Sequence, residues 1–305
     1  MAPDEHPAMR PAAQDPARGR SHSVVEPDGQ QQRVPLVFAS PHSGQEYPAE
    51  FIRAARLAAL SLRRSEDAFV DQLFGAAPRF GAPLLRAHFP RVYIDPNREP
   101  FELDPGMFDG PLPDFVNTGS PRVFAGLGTI ARVVANGEEI YRDKLTFDEA
   151  KQRIETHYFP YHSTLQHLLE KTRRRFGVYL LVDCHSMPSV GGPMDADPGL
   201  RRLDIVLGDC RGTSCAPAIT SLAESTLRAQ GFTVRRNVPY AGGYTTRHYA
   251  RPREGRHALQ IEVNRALYMD ELRIAPAVGL SRVTEALTVL IETLCNIELS
   301  VLQDR

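Results

Sequence analysis

The sequence predicts an α/β fold: a single domain on a mixed, mostly parallel sheet with helices on both faces. Three observations carry this. Val178-Tyr179-Leu180-Leu181-Val182 is an unbroken apolar run of the kind found in a central strand covered on both sides. Strand-like and helix-like patterns alternate along the chain, as in doubly wound sheets. No internal linker divides the 305 residues.

Residues 1–32, rich in Pro, Ala, Arg, Gln and Asp, lack apolar periodicity and are expected to form a mobile tail ahead of a folded domain at 33–305. The first strand, 34–39, runs into Ser40-Pro41-His42-Ser43-Gly44. A helix follows around 49–62. Ser65 is a plausible N-cap for a further helix, with Glu66 and Asp67 in its first turn and Phe69/Leu73 and Val70/Phe74 paired at i,i+4. Residues 91–94 read as a short strand stopped by Pro96.

The stretch 99–121 is dense in Pro, Gly, Asp and Phe, and its length without periodicity suggests a wall over a site. Residues 126–134 read as strand with turn, because their two glycines lack the GxGxxG spacing of a dinucleotide cradle. Thr146 to Glu149 is a capping box opening a helix that runs to Phe176 and is disturbed near Pro160. His157, His162 and His167 recur every five residues, which puts them on different helix faces and makes them a poor metal cluster.

Beyond the central strand, 187–200 is a second candidate lid. A strand at 204–208, a helix at 216–230 closed by Gly231 and a strand at 232–235 follow. Residues 237–256 read as loop or hairpin. A strand at 257–263 carries Glu262 in an otherwise apolar end, and an amphipathic helix fills the chain from 275 onward.

With 36 basic and 37 acidic residues the formal charge is −1, so no global field points to nucleic acid or a membrane surface. The run Arg173-Arg174-Arg175 sits where cations favour a helix C-terminus. No window of about 18 uninterrupted apolar residues suggests a membrane span. Cysteines 184, 210, 215 and 295 form no CxxC pair and no apolar signal segment is evident, so a cytoplasmic location is expected.

Ligands of open α/β sheets bind beyond the carboxyl ends of the strands. In such a sheet every strand is expected to have its carboxyl end on one edge, and that edge collects His42, Asp95, Asn97, Arg98, Asp183, His185 and Glu262. Two histidines, an acid from Glu66 or Asp67 and an open position would make a catalytic zinc site, with Asp183 behind His185. A serine nucleophile among Ser40, Ser43 and Ser186 competes, but no G-x-S-x-G elbow is present. Cys184, at the end of a buried strand, reads as inert.

Ser40-Pro41-His42-Ser43-Gly44, Ser65-Glu66-Asp67, Asp95-x-Asn97-Arg98-Glu99, Pro160-Tyr161-His162, Asp183-Cys184-His185-Ser186 and Gln260-Ile261-Glu262-Val263-Asn264-Arg265, taken together, resemble the N-formylglutamate amidohydrolase family over about residues 34–272. The resemblance implies a phosphorylase/hydrolase-like fold similar to zinc carboxypeptidases and the aspartoacylase group. It also implies one zinc on His42, His185 and either Asp67, which is preferred, or Glu66. By the same resemblance Asn97 and Arg98 grip a substrate α-carboxylate, Arg91 stabilises an oxyanion and Glu262 acts as general base and acid. Arg132, Arg247 and Arg265 are unranked candidates for a distal carboxylate. The implied activity is metal-dependent cleavage of N-formyl-L-glutamate or a related N-acyl amino acid. A carboxypeptidase-like peptidase and a non-catalytic amino-acid binder are the alternatives. The oligomeric state is not set by the sequence.

Overall fold

The computed structural model describes residues 21–193 and 195–303. Most of the expected tail, residues 1–20, lies outside the described residues; His22–Val25, however, forms an edge strand, β1, so ordered structure begins before residue 33. The apolar runs become β2 (Leu36–Ser40), β3 (Leu84–Ala87), β4 (Tyr179–Met187), β5 (Ile205–Gly208), β6 (Val234–Arg236) and β7 (Arg256–Asn264). They join in the order β1-β3-β2-β4-β7-β5-β6.

β3, β2, β4 and β7 pair in parallel, while β1 and β5 are antiparallel to their neighbours β3 and β7, and β6 runs with β5. The expectation that all strands end on one edge is therefore corrected: β1, β5 and β6 run the other way. Fully parallel order needs a crossover at every step, whereas an outer strand is free to enter from either side.

β2 and β4 are buried throughout, which explains their unbroken apolar sequence. Alternate side chains feed two cores: Leu36, Phe38, Leu180, Val182 and Cys184 on one face, and Val37, Ala39, Tyr179 and Leu181 on the other. Each fully buried Leu or Phe contributes about 1.5–3 kcal/mol of transfer free energy.

The helices are α1 (Ala49–Ala54), α2 (Ala59–Arg63), α3 (Val70–Leu73), α4 (Pro121–Phe124), α5 (Phe147–Arg153), α6 (Phe159–Phe176), α7 (Pro217–Ala229), α8 (Tyr244–Tyr249), α9 (Leu280–Cys295) and α10 (Leu299–Gln303). Residues of α3, α7 and α9 belong to the first core, and those of α5 and α6 to the second. The capping box at Thr146 is present, with Glu149 N–H donating to Thr146 Oγ1 at 3.2 Å. Between α5 and α6 the chain widens into a π turn, Ile154–Tyr158, just before Pro160.

Several local expectations are corrected. Residues 49–62 split into two short helices, and the C-terminal helix divides into α9 and α10. Residues 91–94 are a turn, and 126–134 hold only isolated bridges such as Leu127 to Ala131. Residues 237–256 contain α8 instead of a hairpin. Among the described residues no helix is long and apolar enough to cross a membrane.

Candidate metal centre

Three elements bring the site together. β2 ends at Ser40 and the turn after it holds His42; Gly44 in that turn lies so close to the chain that a Cβ there would fall 2.1 Å from Phe89 O. On β4 and β7, His185 and Glu262 are register partners, as are Asp183 and Gln260, so all four project from one face of the sheet. Cys184 points to the opposite face, where burial pushes its thiol well above the ordinary range.

Asp67 arrives differently from the expected first helical turn. Ser65 is not an N-cap; its Oγ accepts from Ala135 N–H at 3.0 Å, and α3 starts only at Val70. Asp67 N–H donates to His42 O at 3.0 Å, and Phe69 sits in the left-handed region at φ 66°. For a bulky side chain that conformation costs of order 1 kcal/mol or more, and the turn it closes fixes the Asp67 carboxylate beneath His42.

Asp67 Oδ2 lies 3.2 Å from His42 Nδ1 and 3.1 Å from His185 Nδ1, and the two Nδ1 atoms are 3.1 Å apart. All three residues are buried. Four-coordinate zinc with bonds of about 2.0 Å separates its ligand atoms by about 3.3 Å, so this triangle has the size of one face of such a coordination sphere. Among the described residues this is the group of His, Cys, Asp and Glu side chains that can hold a metal ion.

The remaining polar atoms of the three are also occupied. His42 Nε2 is 2.7 Å from Asp95 Oδ1, and Arg265 donates to Asp67 Oδ1 at 2.9 Å. His185 Nε2 lies 3.0 Å from Asp183 Oδ1 and 3.4 Å from Asn97 Nδ2. Carboxylates on the far nitrogens orient the rings and leave the Nδ1 lone pairs facing one another and Asp67, an arrangement that favours a cation between them. Burial would raise the Asp67 pKa, but the hydrogen bonds with His185 and His42 and the charge of Arg265 hold it well below the usual carboxylate range.

Glu66, the other acid considered for this role, is not in the group. Its carboxylate is bound by Arg63 Nε at 3.0 Å and Tyr47 Oη at 2.7 Å. Consecutive residues in this turn point apart, which is why only one of the two acids reaches the histidines.

The group opens on a cavity of about 310 Å³ lined by Arg91, Asn97, Arg98, Arg122, Gln260, Glu262 and Arg265 among others. Glu262 accepts from Gln260 Nε2 at 2.7 Å, and burial pushes its carboxyl up to about 7. Arg91 donates to Asp95 Oδ2 at 2.8 Å; burial opposes its charge, but Asp95 and Asp67 more than offset this. Arg98 donates to Leu127 O at 2.7 Å and to Asn97 O at 2.8 Å.

Asn97 is held by Thr245 N–H at 2.9 Å, and its amide packs so tightly on Gly243 that a Cβ there would lie 2.3 Å away. His162 supports the same loop through its Nε2, 2.8 Å from Pro96 O, and has no place in the metal group.

Arg265 lines the cavity but is committed to Asp67, Ser186 Oγ and Arg64 O. Arg132 lies outside, paired with Asp104 at 2.8 Å and lining a separate hollow, and exposed Arg247 donates to Gly242 O at 3.0 Å. The wall expected from 99–121 is instead built from residues between 122 and 135, while Pro188 and Asp195 of the second candidate lid do line the cavity. Sequence reasoning gathered Asp95 with His42 on one edge without their direct contact, and did not place Arg122 at the cavity.

Residues 34–269 match the sequence profile of the N-formylglutamate amidohydrolase family. The chain is 30% identical over 244 residues to the N-formylglutamate deformylase of Pseudomonas aeruginosa, covering 78% of this chain and 84% of that protein. The N-formylglutamate deformylase of Pseudomonas putida is likewise 30% identical, with 79% and 84% covered. The crystal structure of N-formylglutamate amidohydrolase from Ralstonia eutropha JMP134 superposes with a TM-score of 0.80 at 39% identity, over 89% of this chain and 96% of that one. A gene product of Agrobacterium tumefaciens shares the fold at a TM-score of 0.64 and 19% identity, over 91% and 96%.

Proposed function

The chain belongs to the N-formylglutamate amidohydrolase family, and from that premise we propose that it cleaves the amide of N-formyl-L-glutamate, releasing formate and L-glutamate, with one zinc ion held by His42, Asp67 and His185. The observation that carries this reading is the convergence of His42 Nδ1, Asp67 Oδ2 and His185 Nδ1 at one end of a cavity that also contains Glu262. A cavity of about 310 Å³ suits a single acylated amino acid better than a peptide. Two imidazoles with one carboxylate are a donor set suited to zinc.

Bound there, zinc supplies Lewis acidity, lowering the pKa of water and polarising a carbonyl. Glu262 takes the proton of the attacking water and returns it to the departing amine. Its raised pKa suits both halves of that task, since a base that is too weak to be protonated cannot serve as the acid afterwards. Arg91 offers its guanidinium to the oxygen on which negative charge develops. Asn97 and Arg98 hold the α-carboxylate, and Arg98 keeps N–H groups beyond those it gives to Leu127 O and Asn97 O. Asp95 and Asp183 hold the two imidazoles in position. The test is formate release from N-formyl-L-glutamate by zinc-loaded protein beside chelator-stripped protein. Release that depends on zinc supports the reading, and its absence from protein carrying one zinc would discard this substrate.

A further inference from the structure

Among the described residues four arginines line the cavity, and three have their charge engaged by the protein. Arg265 is bound to Asp67 and Arg91 to Asp95, while Arg98 is held by two backbone carbonyls and lies 3.6 Å from Asp95. Arg122 differs: it makes no side-chain hydrogen bond or ion pair with any other described residue. Its backbone is nonetheless fixed. Ser120 Oγ accepts from Val123 N–H at 3.1 Å to cap α4, the Ser120 hydroxyl donates to Glu102, and Leu127 N–H donates to Arg122 O at 2.8 Å.

Arg98 is buried and Arg122 exposed, so the two guanidiniums mark the floor and the mouth of one cavity. They are close enough to repel: burial first, then the charges of Arg122 and Arg91, bring the Arg98 pKa down to about 10 against the pull of Asp95. An anion with two separated carboxylates would relieve that repulsion, one charge meeting each guanidinium. In an N-acyl acidic amino acid the α-carboxylate adjoins the scissile amide and stays deep, while the side-chain carboxylate reaches outward.

We propose that Arg122 binds the side-chain carboxylate of the substrate and is the residue that selects acidic N-acyl amino acids over neutral ones. This rests on reading the cavity as the site of an N-formyl amino acid. It replaces Arg132, Arg247 and Arg265 as the reader of the distal charge, because the first two lie elsewhere and the third is committed to Asp67.

The experiment compares zinc-loaded wild type with Arg122→Met on two substrates of one shape, N-formyl-L-glutamate and N-formyl-L-glutamine. The ratio of their kcat/KM values is expected to fall about 10-fold in the variant, mainly through KM for the acidic substrate. Arg122→Lys should recover part of the ratio, and added salt should lower it in wild type, since the contact is exposed. Calorimetric binding of L-glutamate and L-glutamine to the same proteins gives a readout independent of turnover. A wild-type preference for glutamate that disappears in Arg122→Met supports the assignment even if no formyl substrate is cleaved, in which case the hydrolysis reading fails and Arg122 stands. Hydrolysis of N-formyl-L-glutamate with an acid-to-amide ratio unchanged within about twofold in Arg122→Met overturns the assignment and leaves the hydrolysis reading intact. Equal binding of glutamate and glutamine by wild type also overturns it.

Discussion

His42 and His185 sit at or beside strand ends and Asp67 in the turn ahead of α3, and each is held by another charged side chain, Asp95, Asp183 and Arg265 respectively. The wall opposite, which includes residues between 122 and 135 and the segment Pro239 to Gly243, is built of loops and the short helix α4, and the exposed Arg122 makes no side-chain hydrogen bond or ion pair among the described residues. The inner region resembles a preorganised site whose geometry is fixed before any ligand arrives. The outer region, among the described residues, keeps Arg122 available. The difference teaches where each kind of substitution should be felt: inside, it should alter metal binding or chemistry; outside, it should alter which molecule is accepted.

The largest expected effect separates these regions most sharply. Glu262→Gln should lower kcat by about 100-fold or more while metal content stays at the wild-type level, as measured by formate release and elemental analysis on one sample. Near-normal turnover with the metal in place would remove Glu262 from the chemistry. In wild type the base must be ionised, so kcat/KM should fall as pH drops through its pKa. Burial, against the lowering charges of His185, Arg91 and Arg265, raises that pKa to about 7, and a bound cation moves the acid limb lower.

Next in size is the contrast between two adjacent acids. Asp67→Asn should weaken zinc binding by more than about 100-fold, whereas Glu66→Gln should change it only a few-fold, because Glu66 is engaged by Arg63 and Tyr47. Competition with a chelator of known affinity would measure both, and similar losses would put the acid of the cluster in question. Asp95→Asn should fall between them, at about 10- to 100-fold in zinc affinity or activity, since it touches His42 from behind. The smallest effect belongs to Arg132→Ala, whose partners are Asp104 and Glu139 outside the cavity. Turnover of N-formyl-L-glutamate should change by less than about twofold, and a large rise in KM would bring Arg132 back to the substrate.

The same division governs what could be read from the sequence. A buried strand fixes where its last residues point, so His185 and Glu262 were legible from an apolar run that stops at a polar residue. His42 was legible for the same reason at the end of β2. Loops offer no such period. Residues 91–94 looked like a strand because three of them are apolar, yet they form a turn buried beneath the site. The choice between Glu66 and Asp67 depended on a left-handed Phe69, which no local pattern announces. The arginines could not be ranked because their commitments, Arg265 to Asp67 across 198 residues and Arg132 to Asp104 across 28, are tertiary. The reversed direction of β5 was hidden too, since a short buried strand reads alike in either sense.

The claim that one zinc on His42, Asp67 and His185 is needed for amide cleavage is tested most directly by titrating zinc into chelator-stripped protein while following formate release from N-formyl-L-glutamate. Release should rise in proportion to added zinc and level off at one equivalent per chain. Full release from stripped protein, or none from protein holding one zinc at these three residues, would contradict it.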